Sequence, residues 1–258
     1  MVALQKAIFN KTLEINNTYY LTSPIKMYGQ KKIIAIIAAR GGSKRLPRKN
    51  ILDLKGKPLI VWSIIAGIKS KYIDKVVVTS DNSEILEIST NAGAEIIRRP
   101  SEFSGDKVAP IDAVLHAINT ITNMSQYDYV ILLQPTSPLR TAAHIDDSIE
   151  LLFSKKADAV VSVCQMEHSP LWSSTLPPNS SMSTFFKDEV KRMTRSQDLD
   201  KYYRLNGAIY ICKLDKLKKE KSFFLEDNIF AYKINIEDSI DIDSSLDFKL
   251  AEFMASIQ

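Results

Sequence analysis

The sequence predicts an α/β domain in which a mostly parallel β-sheet carries helices on both faces. Three observations carry that reading. Residues 33–39 (IIAIIAA) form an unbroken apolar run, as expected of a strand buried on both faces. Strand-like and helix-like segments then alternate from residue 33 to about 165, the rhythm of β-α-β units. A chain of 258 residues, 45% hydrophobic and 25% charged, can bury a core of that kind without disulfides or a structural metal.

The elements follow in order. After the apolar run comes a glycine- and cation-rich loop, 40–50. Pro58 is placed to open a helix over 58–70, because its fixed φ suits the first helical turn. The segment KVVVTS at 75–80 is a strand, and 82–92 a helix ending at Gly93. A strand at 94–97, a helix at 108–122 and a strand at 127–133 (YDYVILL) continue the pattern. Thr141 caps a helix reaching about 155, and 157–164 is a strand. The rhythm stops at 169–184, where twelve of sixteen residues are Ser, Thr, Pro or Asn, and 185–205 is charged with little periodicity. Strands at 208–212 and 230–236 and a helix at 244–256 complete the chain. Two regions are therefore expected: an N-terminal extension, 1–31, and one domain, 32–258, interrupted by an insertion at about 169–205.

Composition narrows the function. Cys164 and Cys212 sit in apolar runs and read as buried thiols of a reducing compartment, the cytoplasm. Two cysteines cannot build a Cys-based metal site, and His116, His144 and His168 lack ligand spacing. No stretch approaches ~18 consecutive apolar residues, so no membrane-spanning helix is expected. Residues 1–32 carry Lys6, Lys11, Lys26, Lys31 and Lys32 against Glu14, a net of +4, whereas the remainder holds 29 basic and 29 acidic residues. A domain without net charge lacks the basic stripe of a nucleic-acid binder. Lysines and asparagines interrupt any signal-type apolar stretch in the extension, which reads as a loosely attached tail with a thin amphipathic helix near 3–15. A chain starting at Met27 is expected to fold and to keep kcat/KM within about threefold.

In open parallel sheets, ligands sit beyond the carboxyl ends of the strands, so the loops there carry the chemistry. The first loop is Arg40-Gly41-Gly42-Ser43-Lys44-Arg45-Leu46-Pro47-Arg48-Lys49-Asn50. Two glycines let backbone N–H groups turn toward an anion, and five cations can neutralise a polyphosphate. Neither the Walker A nor the G-x-G-x-x-G spacing is present, which disfavours a P-loop ATPase and a classical NAD enzyme. Asp81 follows the second strand, where it either meets a ligand or caps the next helix. After 127–133 comes Gln134-Pro135-Thr136-Ser137-Pro138-Leu139-Arg140, a loop that two prolines stiffen, with Gln134 at the strand tip. Near the end, Asp238-Ser239-Ile240-Asp241-Ile242-Asp243 alternates as an extended chain does. Asp241 and Asp243 then share a face roughly 6.5–7 Å apart and can grip a hard cation such as Mg²⁺, although Asp243 is also placed to cap the terminal helix.

Six segments in register, ARGGSKRLPRKN (39–50), TSDNSEI (79–85), QPTSPLR (134–140), MEHSP (166–170), RLNGAIYI (204–211) and DSIDIDSSLD (238–247), resemble the N-acylneuraminate cytidylyltransferases, or CMP-sialic acid synthetases. The resemblance covers roughly 32–255. Two departures, Ala38 and Leu205 where the family often has proline, remove no charged or hydrogen-bonding group. The resemblance implies a Rossmann-like domain with a protruding dimerisation arm. It implies Mg²⁺-dependent transfer of CMP from CTP to the anomeric hydroxyl of a nonulosonic acid, with release of pyrophosphate. It gives Arg40, Lys49, Asp241 and Asp243 catalytic positions, with the two aspartates as metal ligands. Gly41, Ser43, Asn50, Asp81 and Arg99 join Arg40 and Lys49 at the nucleotide, and Gln134 and Arg204 stand at the sugar. Phe223 and Phe224 match an aromatic pair reaching the partner's sugar pocket in a homodimer. The nearest alternatives are transfer to Kdo or to another keto-sugar acid such as legionaminic acid; a different class is a non-catalytic nucleotide-binding protein with a decayed site.

Overall fold

Alternation along the first strand decides the layers. In the computed structural model, which describes residues 31–105, 108–183, 185 and 199–257, β1 (Ile33–Ala38) turns Ile33, Ala35 and Ile37 to one face and Ile34 and Ile36 to the other. All five are buried, so the sheet is covered on both sides as the apolar run requires. The tail and helix expected within 1–30, and residues 184 and 186–198 of the insertion, lie outside the described residues.

The chain continues through β2 (Asp53–Leu54), β3 (Lys57–Pro58), α1 (Leu59–Lys69), β4 (Lys75–Ser80), α2 (Ser83–Asn91), β5 (Glu95–Arg98), α3 (Pro110–Thr120), β6 (Tyr129–Leu132) and α4 (Ala142–Ser154). It ends with β7 (Ala159–Gln165), β8 (Tyr203–Lys213), α5 (Leu214–Glu220), β9 (Ile229–Lys233) and α6 (Ser245–Ile257). Seven strands form one sheet in the order β5-β4-β1-β6-β8-β7-β9, and β2 and β3 form a separate hairpin. Every pairing in the large sheet is parallel except those of β8, which runs antiparallel to both β6 and β7. The start of β8 therefore lies at the end of the sheet where its neighbours finish.

Helices α1, α2 and α4 cover one face through Ile60, Ile64, Ile85, Ile145 and Ile149. Helices α3 and α5 cover the other through Val114, Ile118, Leu214 and Leu217. A third, smaller cluster joins Leu54 of the hairpin, Leu59 of α1, Ile242 and Ala251 of α6, with Leu46 and Trp62 packed against it. This cluster ties the first loop to the last helix, beneath the region where the candidate aspartates lie.

The structure departs from the sequence reading in three places. β8 begins at Tyr203, inside the stretch assigned to the insertion. Its pairing with β7 shifts between Val161 and Val163, and Gly207 has φ +74°, so a bulge hides the strand's alternation. The hairpin turn places Lys55 at φ 54°, and lysine gives no sequence signal for that conformation. α5 (LDKLKKE) was not expected, because only two of its seven residues are apolar.

Candidate active site

The first loop leaves β1 tied to the neighbouring strand β4 and the turn after it. Ala39 N–H extends the pairing to the Thr79 carbonyl at 3.0 Å. Gly41 N–H donates to Asp81 Oδ1 at 3.0 Å. A Cβ on Gly41 would lie 2.9 Å from the Asn82 side chain, so only glycine allows this approach. Asn82, not Asp81, caps α2, accepting Ile85 N–H at 3.0 Å. Asp81 is thereby released to hold the loop. Substituting Gly41→Ala should displace the cap and destabilise the fold by about 1 kcal/mol, read as a lowered urea midpoint with unchanged slope.

Further along, the buried Asn50 donates to the Arg40 carbonyl at 2.9 Å and closes the loop on itself. Lys49 reaches across to the end of the chain, donating to the Ile242 carbonyl at 2.5 Å and to Asp243 Oδ1 at 3.1 Å. Arg45 pairs with the other oxygen, Asp243 Oδ2, at 3.0 Å. Arg48 turns away and grips Glu84 at 2.8 and 2.9 Å. Of the five cations in the loop, Arg40, Lys44, Arg45 and Lys49 line a cleft of about 440 Å³ and Arg48 does not.

The same cleft is lined by Arg99, Gln134, Thr136, Asp241 and Asp243. Arg99 is buried after β5, donating Nε to Ser104 Oγ at 3.0 Å. Burial lowers its pKa, Asp81 acting against that and Arg40 with it. The aspartates take their direction from the residue between them. Ile242 is fully buried in the third cluster, and its N–H donates to the Thr136 carbonyl at 2.8 Å. With Ile242 facing inward, both carboxylates belong to the cleft wall. Asp243 does not cap α6: Ser244 does so, its Oγ accepting Asp247 N–H at 3.3 Å, and the Asp247 carboxylate returns the bond by accepting Ser244 N–H at 2.7 Å and Asp243 N–H at 3.0 Å. Asp241 is raised above the usual carboxylate range, foremost by desolvation. The Thr136 hydroxyl, Lys49 and Arg204 oppose that shift, and Asp243 adds to it. The Asp241 side chain opens onto the cleft, so a cation arriving there would lower its pKa again.

The donor set fits a hard divalent cation. Two carboxylates from one extended segment face a cleft that also holds the cations of the first loop; Lys49 and Arg45 bond to Asp243 and would share it with the metal, and phosphate oxygens and water are the usual remaining ligands of Mg²⁺. Among the described residues no cluster of three or more His, Cys, Asp or Glu offers a self-sufficient metal cage.

The remaining predicted positions are distributed unevenly. Ser43 and Asn50 line the cleft, whereas Gly41 and Asp81 stand just behind it. Arg204 lies at the start of β8, near enough to Asp241 to favour its charged form, but does not line the cleft. Phe223 is buried against Tyr210 within its own chain, with ring centroids 5.9 Å apart. Phe224 meets the same ring edge-on at 5.9 Å and is 54% exposed. Of the two, only Phe224 is free to meet a second molecule. Thr136, Arg45 and Ser104 were missed by sequence reasoning. The first two sit inside motifs already singled out, whereas nothing in the sequence around Ser104 points to Arg99.

The cytidylyltransferase family profile matches residues 34–253. The chain is 37% identical over 221 residues to N-acylneuraminate cytidylyltransferase of Escherichia coli O18:K1:H7, covering 85% of this chain and 51% of that protein. It is 34% identical over 232 residues to CMP-N,N'-diacetyllegionaminic acid synthase of Legionella pneumophila, covering 86% of this chain and 95% of that one. The chain thus spans about half the length of the first relative and nearly all of the second. Among solved structures, CMP:2-keto-3-deoxy-manno-octonic acid synthetase complexed with CTP shares the fold, with a TM-score of 0.67 at 17% identity over 88% of this chain and 100% of that one.

Proposed function

The chain belongs to the cytidylyltransferase family, and from that membership we propose that it moves CMP from CTP to the anomeric hydroxyl of a nonulosonic acid, releasing pyrophosphate. The observation that carries the proposal is the single cleft shared by the cationic loop after β1 and the Asp241–Asp243 pair, bridged by Lys49. Attack on the α-phosphorus places charge on the phosphoryl oxygens and on the departing pyrophosphate. Arg40, Lys44, Arg45 and Lys49 line the cleft and can neutralise that charge, Arg45 and Lys49 from positions fixed by Asp243. Asp241 and Asp243 are the residues that would hold Mg²⁺, which would supply Lewis-acid charge to the reaction. Gln134, at the tip of β6, and the stiff turn after it form the wall that receives the sugar acid. Such a wall loses little entropy on binding.

We assign the protein to the cytoplasm, where CTP is made. We also assign it a homodimer in which the exposed Phe224 and the 169–205 insertion meet the partner. Light scattering checks the second point: the expected mass is twice 29.1 kDa, and a monomer at assay concentration refutes it. The function is tested by pyrophosphate release across a panel of nonulosonic acids, with Kdo included and with CTP compared against ATP. Turnover should require CTP and a nine-carbon acid and should vanish in excess EDTA. Equal rates with ATP, or preference for Kdo, would sink the assignment.

A further inference from the structure

We infer that Arg140 is a positioning residue for the sugar-acid end of the cleft: its guanidinium clamps the Gln134 turn to the β8 bulge from behind. This rests on the proposed function only in naming which substrate that end receives. Arg140 lies between β6 and α4 and is 2% exposed, the largest side chain so completely buried. Its Nε donates to the Ala208 carbonyl at 3.1 Å. One terminal nitrogen donates to Ser63 Oγ at 2.5 Å and to the Gln134 carbonyl at 3.3 Å. Ser63, on α1, in turn donates to the same Gln134 carbonyl at 3.2 Å.

Each partner belongs to a wall of the cleft or stands directly behind one. Gln134 and Thr136 line it. Ala208 follows Gly207, whose added Cβ would sit 3.5 Å from Ser137 Oγ and 3.6 Å from Asp241 Oδ2. One planar fork therefore sets the spacing between the turn that presents Gln134 and the bulge that backs Asp241. The bulge has a second fastening. Asn206 accepts from Ser162 Oγ at 2.6 Å and donates to Ser239 Oγ at 2.9 Å, two residues before Asp241. Arg140 is the fastening that reaches the turn.

Stability does not explain the residue. Among the described residues no carboxylate pairs with Arg140, and its second terminal nitrogen is buried without a hydrogen-bond partner. An uncompensated buried cation is unfavourable, and neutral acceptors offset its desolvation only in part. The guanidinium serves instead through its geometry: it donates in two fixed directions to carbonyls of two different segments. A lysine ammonium is a point donor on a flexible stem and cannot reproduce this fork.

Arg140→Met and Arg140→Lys test the clamp, with Ser63→Ala as a milder variant that keeps the test decisive if both fail to fold. The expected result is a rise of tenfold or more in KM for the sugar acid, or an equal fall in kcat, with KM for CTP changed less than about threefold. Arg140→Lys should not rescue. Ser63→Ala should shift the same parameters in the same direction, by about threefold. Amide hydrogen exchange should accelerate at 134–140 and 206–209 and not in β1 or β4. Wild-type kinetics in these variants, equal loss for both substrates, or rescue by lysine would each overturn the clamp. If the wild-type chain turns over no acid of the panel, the substrate assignment fails, and exchange at the two segments alone decides the clamp.

Discussion

Replacing Asp241 or Asp243 by asparagine is expected to lower kcat on the order of 100-fold or more while the protein melts normally. Each substitution removes a charged oxygen donor from a pair that has little else to hold a cation. The fold does not depend on either. Asp241 is a carboxyl that burial already disfavours in its ionised form, so neutralising it does not weaken the fold. Asp243 pairs with Arg45, which is 75% exposed, and such a solvent-screened pair contributes under about 1 kcal/mol; its other partner, Lys49, keeps the Ile242 carbonyl when the carboxylate is neutralised. Steady-state kinetics and thermal melts on the two variants check the expectation. Normal melting with wild-type kcat would mean that the pair holds no catalytic cation.

The second large effect concerns the first loop. Arg40→Ala and Lys49→Ala should each reduce kcat/KM for CTP by about 100-fold, a barrier of about 2.7 kcal/mol. Lys44→Ala should cost far less, because that lysine contributes charge at the rim. Arg48→Ala is the internal control. Its guanidinium is committed to Glu84 outside the cleft, so CTP kinetics should stay within about twofold. Comparable losses in all four variants would mean that the loop acts as a diffuse positive patch. Lys49 should also show a defect that Arg40 does not, because it alone fastens the loop to the Ile242 carbonyl.

Much of this architecture is written in local pattern. The run Ile33–Ala38 announces a strand covered on both faces, and the alternation Ile240-Asp241-Ile242-Asp243 correctly puts isoleucine inward and aspartate outward. What escapes is set by partners distant in sequence. Asp81 and Asn82 are equally plausible caps by type, and the contact between Gly41 and Asn82 decides which one caps. The early start of β8 is masked by a bulge that exists because Asn206 bonds to Ser162 and Ser239. Phe223 and Phe224 are identical as letters and both meet Tyr210, yet Phe223 enters the core cluster on that face of the sheet and Phe224 stays exposed. Arg140 reads as one more cation in a polar turn, because nothing nearby in sequence tells that it will be buried.

The bond from Lys49 to Ile242 joins residues 193 positions apart, and that span sets an order of events during synthesis. The half of the sheet made by β1, β4, β5 and β6 is complete once the ribosome has passed residue 132. A nascent chain of that length already carries the cationic loop. Asp241 and Asp243 emerge more than a hundred residues after β6, together with the Ile242 that seats them in the third cluster. The two walls of the cleft are therefore made at different times, and the Lys49 bond that joins them cannot form until Ile242 has left the exit tunnel.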